Sequence, residues 1–536
     1  MTKLNILTIG VGVLICCGFI LSRIAVPVLL DDGFIVDTLF YGNLGWRGFN
    51  GLHPVLDYPH HYGGGFTSFI VLAFNSFGPT LKAIDYTYVL LFLFAFIFGS
   101  TVLLGRVSID NAIILLTCSA AIILGVNCIE DGFIDTISHS FAYNHIAICL
   151  MMFLTVFATK TSKLTKILEF LVSLFCGGVL FFLIIMKTPF LLFSLFYFPA
   201  VWVNRGRKIS FYTVLGFVSA IFLFDPALTR TVESTELLFS NDIRSAAGGI
   251  QGRILHGIYI VLAASPILLV CASKCLTLYR NDPTGTSNFI FALSTCTLGY
   301  LAASLFMNGY AYLKLLPILV VVLLLLSERI RASSADTSAS SDLVALVLAA
   351  LIIAQGAVAS INYVRISSEL KDYSLIEKGP VSMYVMPYFS PGEKTGDTRE
   401  ERLSNASEAL AARRKNGDPE RGADSYVIFA DGIQLLQSVP DVQSKRIVST
   451  GGGYDFTLAL EAPPVVSYPV WPWDREGSAN FLDLDDVDIV LESMDPYRAN
   501  VFSSDAMAKL EDEFELCRTS KFFKMHISKN TRQNFC

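Results

Sequence analysis

The segment from Leu30 to Gly65 reads LDDGFIVDTLFYGNLGWRGFNGLHPVLDYPHHYGGG and follows directly on the first apolar segment of the chain. It combines acidic residues, histidines and arginine with aromatic residues and glycines. Its acidic part returns further along: residues 31–38 read DDGFIVDT, and residues 130–136 read EDGFIDT, one residue shorter. Two such segments on one face of a membrane protein would indicate a site for a metal ion, a cation or a polar substrate.

The sequence on either side of this segment is strongly apolar. Of the 536 residues, 53% are hydrophobic and only 16% are charged, whereas a soluble domain averages about 25% charged residues. The deficit of charge and the repeated apolar segments predict a polytopic membrane protein. The net charge of −6 gives no indication of a nucleic-acid partner.

About eleven apolar segments are long enough to be membrane spans, given a hydrocarbon core of about 30 Å. They are residues 4–30, 83–104, 111–127, 145–159, 167–186, 189–203, 210–224, 254–273, 288–306, 310–327 and 342–361. The first has no small-residue cleavage signature, so we interpret it as a retained helix. The shorter segment 66–77 favours a re-entrant or interfacial helix.

Basic residues in the short loops predict the orientation. They cluster at residues 160–166, 205–208, 274–280 and 329–331, all on the side of Lys3. That side is therefore predicted to be cytoplasmic. Both acidic motifs and the tail, residues 362–536, would then lie outside.

This topology predicts two domains. Residues 1–361 would form a transmembrane domain with outer loops at 30–80 and 128–144. The tail would form a small external α/β domain with strands at 426–430, 447–456 and 487–491. An exported domain meets an oxidising compartment, so Cys517 and Cys536 could pair there, although two free thiols are the alternative.

The outer acidic motifs resemble those of the GT-C superfamily of glycosyltransferases, polytopic enzymes that take sugars from polyprenyl-phosphate donors. In that family the first external loop carries an acidic pair, and the oligosaccharyltransferase branch has a second acidic motif between the third and fourth spans. Asp31 and Asp32 stand at the first place; Glu130, Asp131 and Asp135 stand at the second. The resemblance implies a GT-C-like membrane fold and a lipid-linked sugar donor. The oligosaccharyltransferase motif WWDYG is absent from the sequence, which favours transfer of a single sugar.

The chemistry of such a transfer requires a base and a positive charge. An acceptor hydroxyl loses its proton as it attacks the anomeric carbon, and Asp31 or Asp32 is the candidate catalytic base. An acidic pair at a helix end can also be a solvated turn. Lys187 and Lys314, near the ends of spans, could hold the departing phosphate. The alternative for both lysines is snorkelling to the headgroups.

Further candidates come from the loops. Arg47, His60, His61 and Arg253 are predicted to contact the substrate. Glu130, Asp131 and Asp135 are predicted to bind a divalent cation, Mg²⁺ or Mn²⁺, because carboxylates suit these ions. His60 and His61 could also be interpreted as metal ligands, but the pair lacks ligand spacing of its own, which favours ordinary hydrogen bonding or substrate contact.

The sequence therefore predicts a glycosyltransferase in a bacterial inner membrane, with its N terminus in the cytoplasm and its C-terminal domain in the periplasm. Its partners would be membrane lipid, a polyprenyl-phosphate-linked sugar donor and a glycan, lipid or protein acceptor. A transporter or flippase for a polar lipid or sugar is the alternative, but such a protein would favour ionisable or broken-helix sites at the middle of its spans. A scaffold or sensor would leave the two acidic motifs unexplained.

Overall fold

A computed structural model describes most of the membrane segment and about half of the tail. The described residues are 3–31, 35–53, 57, 64–125, 142–160, 164–225, 262, 265–305, 312–333, 339–368, 370, 374–386, 425–451, 454–466, 468, 484–494 and 502–530.

The first 368 residues are predominantly helical. The described helices there are α1 (Lys3–Ala25), α2 (Ile35–Phe49), α3 (Gly64–Phe77), α4 (Ala83–Leu103), α5 (Ile109–Leu124), α6 (Ala142–Thr159), α7 (Lys166–Met186), α8 (Leu191–Arg205), α9 (Arg207–Phe224), α10 (Ser265–Asn281), α11 (Pro283–Ser304), α12 (Tyr312–Ser333) and α13 (Ala339–Ser368). Each of the predicted spans overlaps one of these helices, and segment 66–77 is the helix α3. The predicted helical membrane fold is confirmed.

Within the described residues, five helices are long and apolar enough to cross a membrane. They are Ile6–Ala25, Ala83–Leu103, Lys166–Met186, Arg207–Phe224 and Asp342–Ser368. Several shorter helices, such as α5, are apolar as well. By length and composition the chain is an integral membrane protein.

The chain divides into two compact units. The helical unit consists of Met1–Arg23, Tyr88–Ile134 and Phe141–Asn362. The mixed unit consists of Ile24–Thr87, Asp135–Ser140 and Tyr363–Cys536. Part of the first predicted outer loop thus shares a compact unit with the tail.

In the helical unit, α7 and α9 approach each other through glycines. A Cβ atom on Gly177 would lie 2.0 Å from the carbonyl oxygen of Thr213, and one on Gly216 would lie 2.1 Å from that of Leu174. Only glycine allows the two backbones to come this close. Contact through small residues is the usual way in which membrane helices pack, since lipid offers no hydrophobic driving force between them.

Ion pairs join several helix ends of the helical unit. Glu169, in the first turn of α7, accepts hydrogen bonds from Arg205 at the end of α8 and from Arg106 after α4, the latter at 2.5 Å. Both guanidinium groups lie over the ring of Phe157, each 4.9 Å from its centroid. The ends of α4, α6 and α8 and the start of α7 therefore meet at one end of the unit.

A second ion pair lies between Lys160, after α6, and Glu328 of α12, at 3.0 Å. Glu328 also accepts hydrogen bonds from Ser108 N at 2.9 Å and from Asn111 Nδ2 at 2.7 Å, at the start of α5. Burial lowers the pKa of Lys160, although Glu328 acts in the opposite direction. Basic residues of two of the predicted cytoplasmic loops, Lys160 and Arg205, thus take part in ion pairs between helix ends.

The mixed unit contains two small sheets. The first has strand order β1-β3-β2, where β1 is Leu29–Asp31, β2 is Ser374–Lys378 and β3 is Val381–Met386. β1 runs parallel to β3, and β2 runs antiparallel to it. The strand that opens the first acidic motif is therefore paired with a strand of the tail.

The second sheet lies wholly in the tail. Its order is β4-β5-β7-β6, with β4 at Ile447–Ser449, β5 at Ile489–Ser493, β6 at Phe514–Thr519 and β7 at Phe523–Ser528. The described helices of the tail are α14 (Ser425–Gln437), α15 (Thr457–Leu460) and α16 (Ser504–Glu513). This confirms a small α/β region. Cys517 in β6 is disulfide-bonded, with a partner that is not among the described residues.

The predicted strand at 426–430 is wrong, because these residues lie in α14. The run Tyr-Val-Ile-Phe has the composition of a strand. However, the buried residues Ile428, Phe429, Ile433 and Leu436 continue at helical spacing, and this longer period decides the structure. The predicted strand at 447–456 is limited to β4, and the one at 487–491 corresponds to β5.

Candidate functional site

The first acidic motif begins at the end of β1. Asp31 is the last residue of that strand and is paired in register with Met386 of β3. Helix α2 begins four residues later, at Ile35, and has Asp37 in its first turn. Asp32 lies outside the described residues. In the sequence, the motif therefore connects a strand to a helix. The strand pairing defines the backbone position of Asp31.

Several predicted site residues lie outside the described part of the chain. They are His60, His61, Glu130, Asp131, Asp135 and Arg253. Among the residues that the structure does describe, no group of three or more histidines, cysteines and acidic residues could hold a metal ion. The metal site and these substrate contacts remain predictions.

Lys187 is buried at the end of α7, with 8% of its surface exposed. Its backbone N–H donates to the carbonyl of Leu183 at 3.1 Å, which closes the helix. Its ammonium group lies 4.8 Å from the ring centroid of Tyr143, in the first turn of α6. This is the range of a cation–π contact. Lys314, the other predicted phosphate ligand, lies in the first turn of α12.

Arg23 is a second buried cation of the helical unit, at 2% exposure. Its Nε donates to the carbonyl of Leu124 at 2.7 Å and its Nη2 to that of Gly125 at 3.4 Å. Its guanidinium lies 4.3 Å from the ring centroid of Tyr88. The side chain therefore caps the end of α5.

Arg23 and Lys187 contact the two helix ends that flank the second acidic motif in the sequence. Arg23 binds the last carbonyl groups of α5, and Lys187 lies against the start of α6. Residues 130–136 stand between these two helices in the chain. A buried basic side chain therefore lies at each of the two helix ends that flank this motif in the sequence.

Arg47 is fully buried in the mixed unit. Its Nη2 lies 2.9 Å from Oδ2 of Asp455, which is itself 4% exposed, and its Nη1 donates to the carbonyl of Val465 at 2.6 Å. The guanidinium also lies 5.5 Å from the ring centroid of Tyr468. The structure thus gives Arg47 partners in the tail, while its predicted contact with substrate stays a prediction.

The residues of α2 on the same face bind the same part of the tail. Trp46 Nε1 donates to the carbonyl of Ala462 at 2.8 Å, and Asn43 Nδ2 donates to that of Asp455 at 3.0 Å. Asn43 Oδ1 accepts from the backbone N–H of Leu458 at 3.2 Å. Residues three and four apart lie on one face of a helix, so Asn43, Trp46 and Arg47 face the tail together. We call residues 455–465 the anchoring segment.

Sequence reasoning missed this network. Asn43 and Asp455 are 412 positions apart, and Arg47 and Asp455 are 408 apart. A single sequence carries no signal that pairs residues at such distances. The available signal was local: Asn43, Trp46 and Arg47 share one face of a segment that can form a helix.

A cavity of about 510 Å³ lies on the tail. It is lined by Asp431, Gln434, Leu435, Ser438, Arg518, Thr519, Ser520 and Lys521. None of the predicted site residues lines it.

The chain has a distant likeness in fold to several solved structures. One is ArnT from Cupriavidus metallidurans bound to undecaprenyl phosphate, with 9% identity, a TM-score of 0.42 and coverage of 98% of both chains. Its apo state matches with a TM-score of 0.45 over 97% of both chains. The third is the archaeal oligosaccharyltransferase AglB from Archaeoglobus fulgidus, in complex with an inhibitory peptide and a dolichol-phosphate. It has 11% identity and a TM-score of 0.40 over 92% of this chain and 69% of that chain.

Similarity at this level describes a likeness of folds and assigns no activity. No protein-family model matches the chain, and no curated protein matches it.

Proposed function

We propose that the chain is a glycosyltransferase that moves a single sugar from a polyprenyl-phosphate donor to a glycan, lipid or protein acceptor on the outer face of the membrane. The observation that carries the proposal is the buried cation Lys187 at the end of α7, which lies against Tyr143 at the start of the helix that follows the second acidic motif in the sequence. Ionisable side chains buried in a membrane protein are costly and are usually functional. A lipid-linked phosphate is an anion that a buried cation at a helix end could bind.

In the proposed reaction, the hydroxyl oxygen of the acceptor attacks the anomeric carbon of the donor sugar. The bond from that carbon to the phosphate oxygen breaks, and polyprenyl phosphate leaves with the electron pair. The acceptor's proton passes to a carboxylate of Asp31 or Asp32, which acts as general base. Lys187, with Lys314, stabilises the negative charge that develops on the phosphate.

A divalent cation held by Glu130, Asp131 and Asp135 would add positive charge for the same phosphate. This remains part of the proposal, because the three residues lie outside the described part of the chain. No step above depends on the ion.

The runner-up function is a transporter or flippase. Such proteins place ionisable groups near the middle of the membrane, often in broken helices. In α4 to α9, by contrast, Asp, Glu, Lys and Arg stand only within the terminal two turns. This distribution favours a reaction at the membrane surface over transport of a substrate between the helices.

The experiment is sugar transfer in membranes that contain either the wild-type chain or one variant, with lipid-linked sugars extracted from cells lacking the protein as donors. Asp31→Asn and Asp32→Asn keep the shape of the side chain and remove the base. We expect the variant that lacks the base to lose activity by about a hundredfold or more. The other should lose less, because neighbouring side chains point in different directions and cannot both address one atom.

Asp57→Asn is the matched control, because Asp57 belongs to the same outer segment and accepts a hydrogen bond from the backbone N–H of His53 at 2.6 Å. It should transfer sugar at the wild-type rate. Full activity in both Asp31→Asn and Asp32→Asn would remove the base from this motif and favour the transporter.

A further inference from the structure

We propose that the anchoring segment positions the first acidic motif for catalysis, with the buried Arg47–Asp455 ion pair as its central contact. The inference rests on the proposed function. It gives the tail a role in the transfer reaction itself, and it makes Asp455 and Arg47 positioning residues that act through helix α2.

The tail holds the chain on the N-terminal side of the motif. β1 pairs with β3, so that Leu29 lies opposite Tyr384 and Asp31 opposite Met386. Just before the strand, the carbonyl of Val28 accepts from Tyr384 N at 2.8 Å, and that of Pro27 accepts from Tyr363 Oη at 3.1 Å. The backbone that leads to Asp31 is therefore fixed by residues of the tail.

The tail also holds the chain on the C-terminal side. Helix α2 begins at Ile35 and binds the anchoring segment through Asn43, Trp46 and Arg47. Gly42, on the same helix, lies close to Leu458: a Cβ on this glycine would come within 2.8 Å of that leucine side chain. The two described elements that bracket the acidic motif are thus both bound to the tail.

The ion pair suits a positioning role because it is buried and directional. Arg47 donates in fixed directions to Asp455 and to the carbonyl of Val465. Asp455 Oδ1 accepts in turn from Thr457 N at 2.9 Å and from Thr457 Oγ1 at 2.7 Å. A buried ion pair is weak evidence for stability, since desolvation opposes it, but it can select one arrangement of the elements that it joins. Here it defines how α2 lies on the tail.

The test is a double-mutant cycle on the full-length chain in membranes. Asp455→Asn removes the carboxylate that binds Arg47, and Arg47→Met removes the guanidinium that binds Asp455. We expect each single variant to lose about a hundredfold in kcat, the effect of a small displacement of catalytic groups, while KM for the lipid donor stays within about twofold of wild type. The double variant Arg47→Met/Asp455→Asn should lose no more kcat than either single variant, because both residues act through the same contact.

The cycle separates positioning from direct contact. If Arg47 binds substrate directly, Arg47→Met will lose far more activity than Asp455→Asn, which keeps the guanidinium, and the proposal is overturned. Asp431→Asn is the control, because Asp431 accepts from Ser520 Oγ at 2.6 Å and Phe522 N at 3.1 Å within the tail. It should leave kcat unchanged.

A second measurement does not need the enzyme to be active. Hydrogen exchange of the amides of α2 should be faster in Asp455→Asn than in the wild-type chain and in Asp431→Asn, because opening of α2 becomes easier. Unchanged exchange would overturn the proposal even if activity fell. Absence of any sugar transfer by the wild-type chain would instead refute the proposed function, and exchange would then show whether the anchoring segment holds α2.

Discussion

Among single residues, Lys187 is the buried cation that we propose to stabilise the departing phosphate. Removing its charge with Lys187→Met should raise the requirement for donor or abolish turnover, because the phosphate loses a buried cation. By analogy with the loss of one transition-state donor, we expect a loss of about 2–4 kcal/mol of stabilisation. Donor-dependent transfer rates in membranes with matched amounts of protein would measure it. Lys187→Arg keeps the charge and should retain part of the activity.

Lys208 provides the control for this prediction. It is also a lysine over a tyrosine ring, 5.8 Å from the centroid of Tyr212, but it lies in the first turn of α9, in a predicted cytoplasmic loop. Lys208→Met should transfer sugar normally. Wild-type kinetics in Lys187→Met would show that Lys187 has only a structural role at the end of α7.

Among the elements, the contact between α7 and α9 offers a clear test of packing. Gly177→Ala places a methyl group where the carbonyl of Thr213 now lies, so the helices must move apart. Overpacking of this kind costs about 1–3 kcal/mol. The free energy of unfolding of the detergent-solubilised chain, measured by titration with a denaturing detergent, should fall by this amount.

The neighbouring glycine is the matched control. A Cβ on Gly178 meets no atom within 4 Å. Gly178→Ala should change the unfolding free energy by less than about 0.5 kcal/mol. Equal effects of the two alanines would contradict the close α7–α9 contact.

Local patterns in the sequence predicted most of the helices, and the failures are informative. Long apolar segments located α4, α7 and α9 because length and composition alone decide a span. The strand predicted at 426–430 is wrong because the β-branched and aromatic residues of this segment are typical of strands. The helical spacing of its buried residues becomes visible only when the sequence is followed to Leu436. Lys187 was found as a charge at the end of an apolar segment. Asp455 was not found, since its role depends on a partner that is distant in sequence.

For the whole molecule, the distribution of basic residues predicts the topology. A reporter fused after Lys208 should lie in the cytoplasm, and one fused after Asn362 should lie outside, because the short basic loops mark the cytoplasmic side. A fusion after Asp225, at the other end of α9, should agree with the fusion after Asn362. If the Lys208 and Asn362 fusions both report the cytoplasm, the orientation is wrong, and the outer-face reaction is wrong with it.

The pairing of α2 with the anchoring segment sets an order of events in time. Arg47 leaves the ribosome 408 residues before Asp455 does, and at about 5–20 residues per second this takes roughly 20–80 s. The helices from α4 to α13 are synthesised in that interval, while α2 has not yet met its partner. The beginning of the chain therefore completes its folding only after nearly all of the protein has been made. A nonsense mutation late in the gene would leave the first acidic motif without its support, although every residue of that motif had been translated.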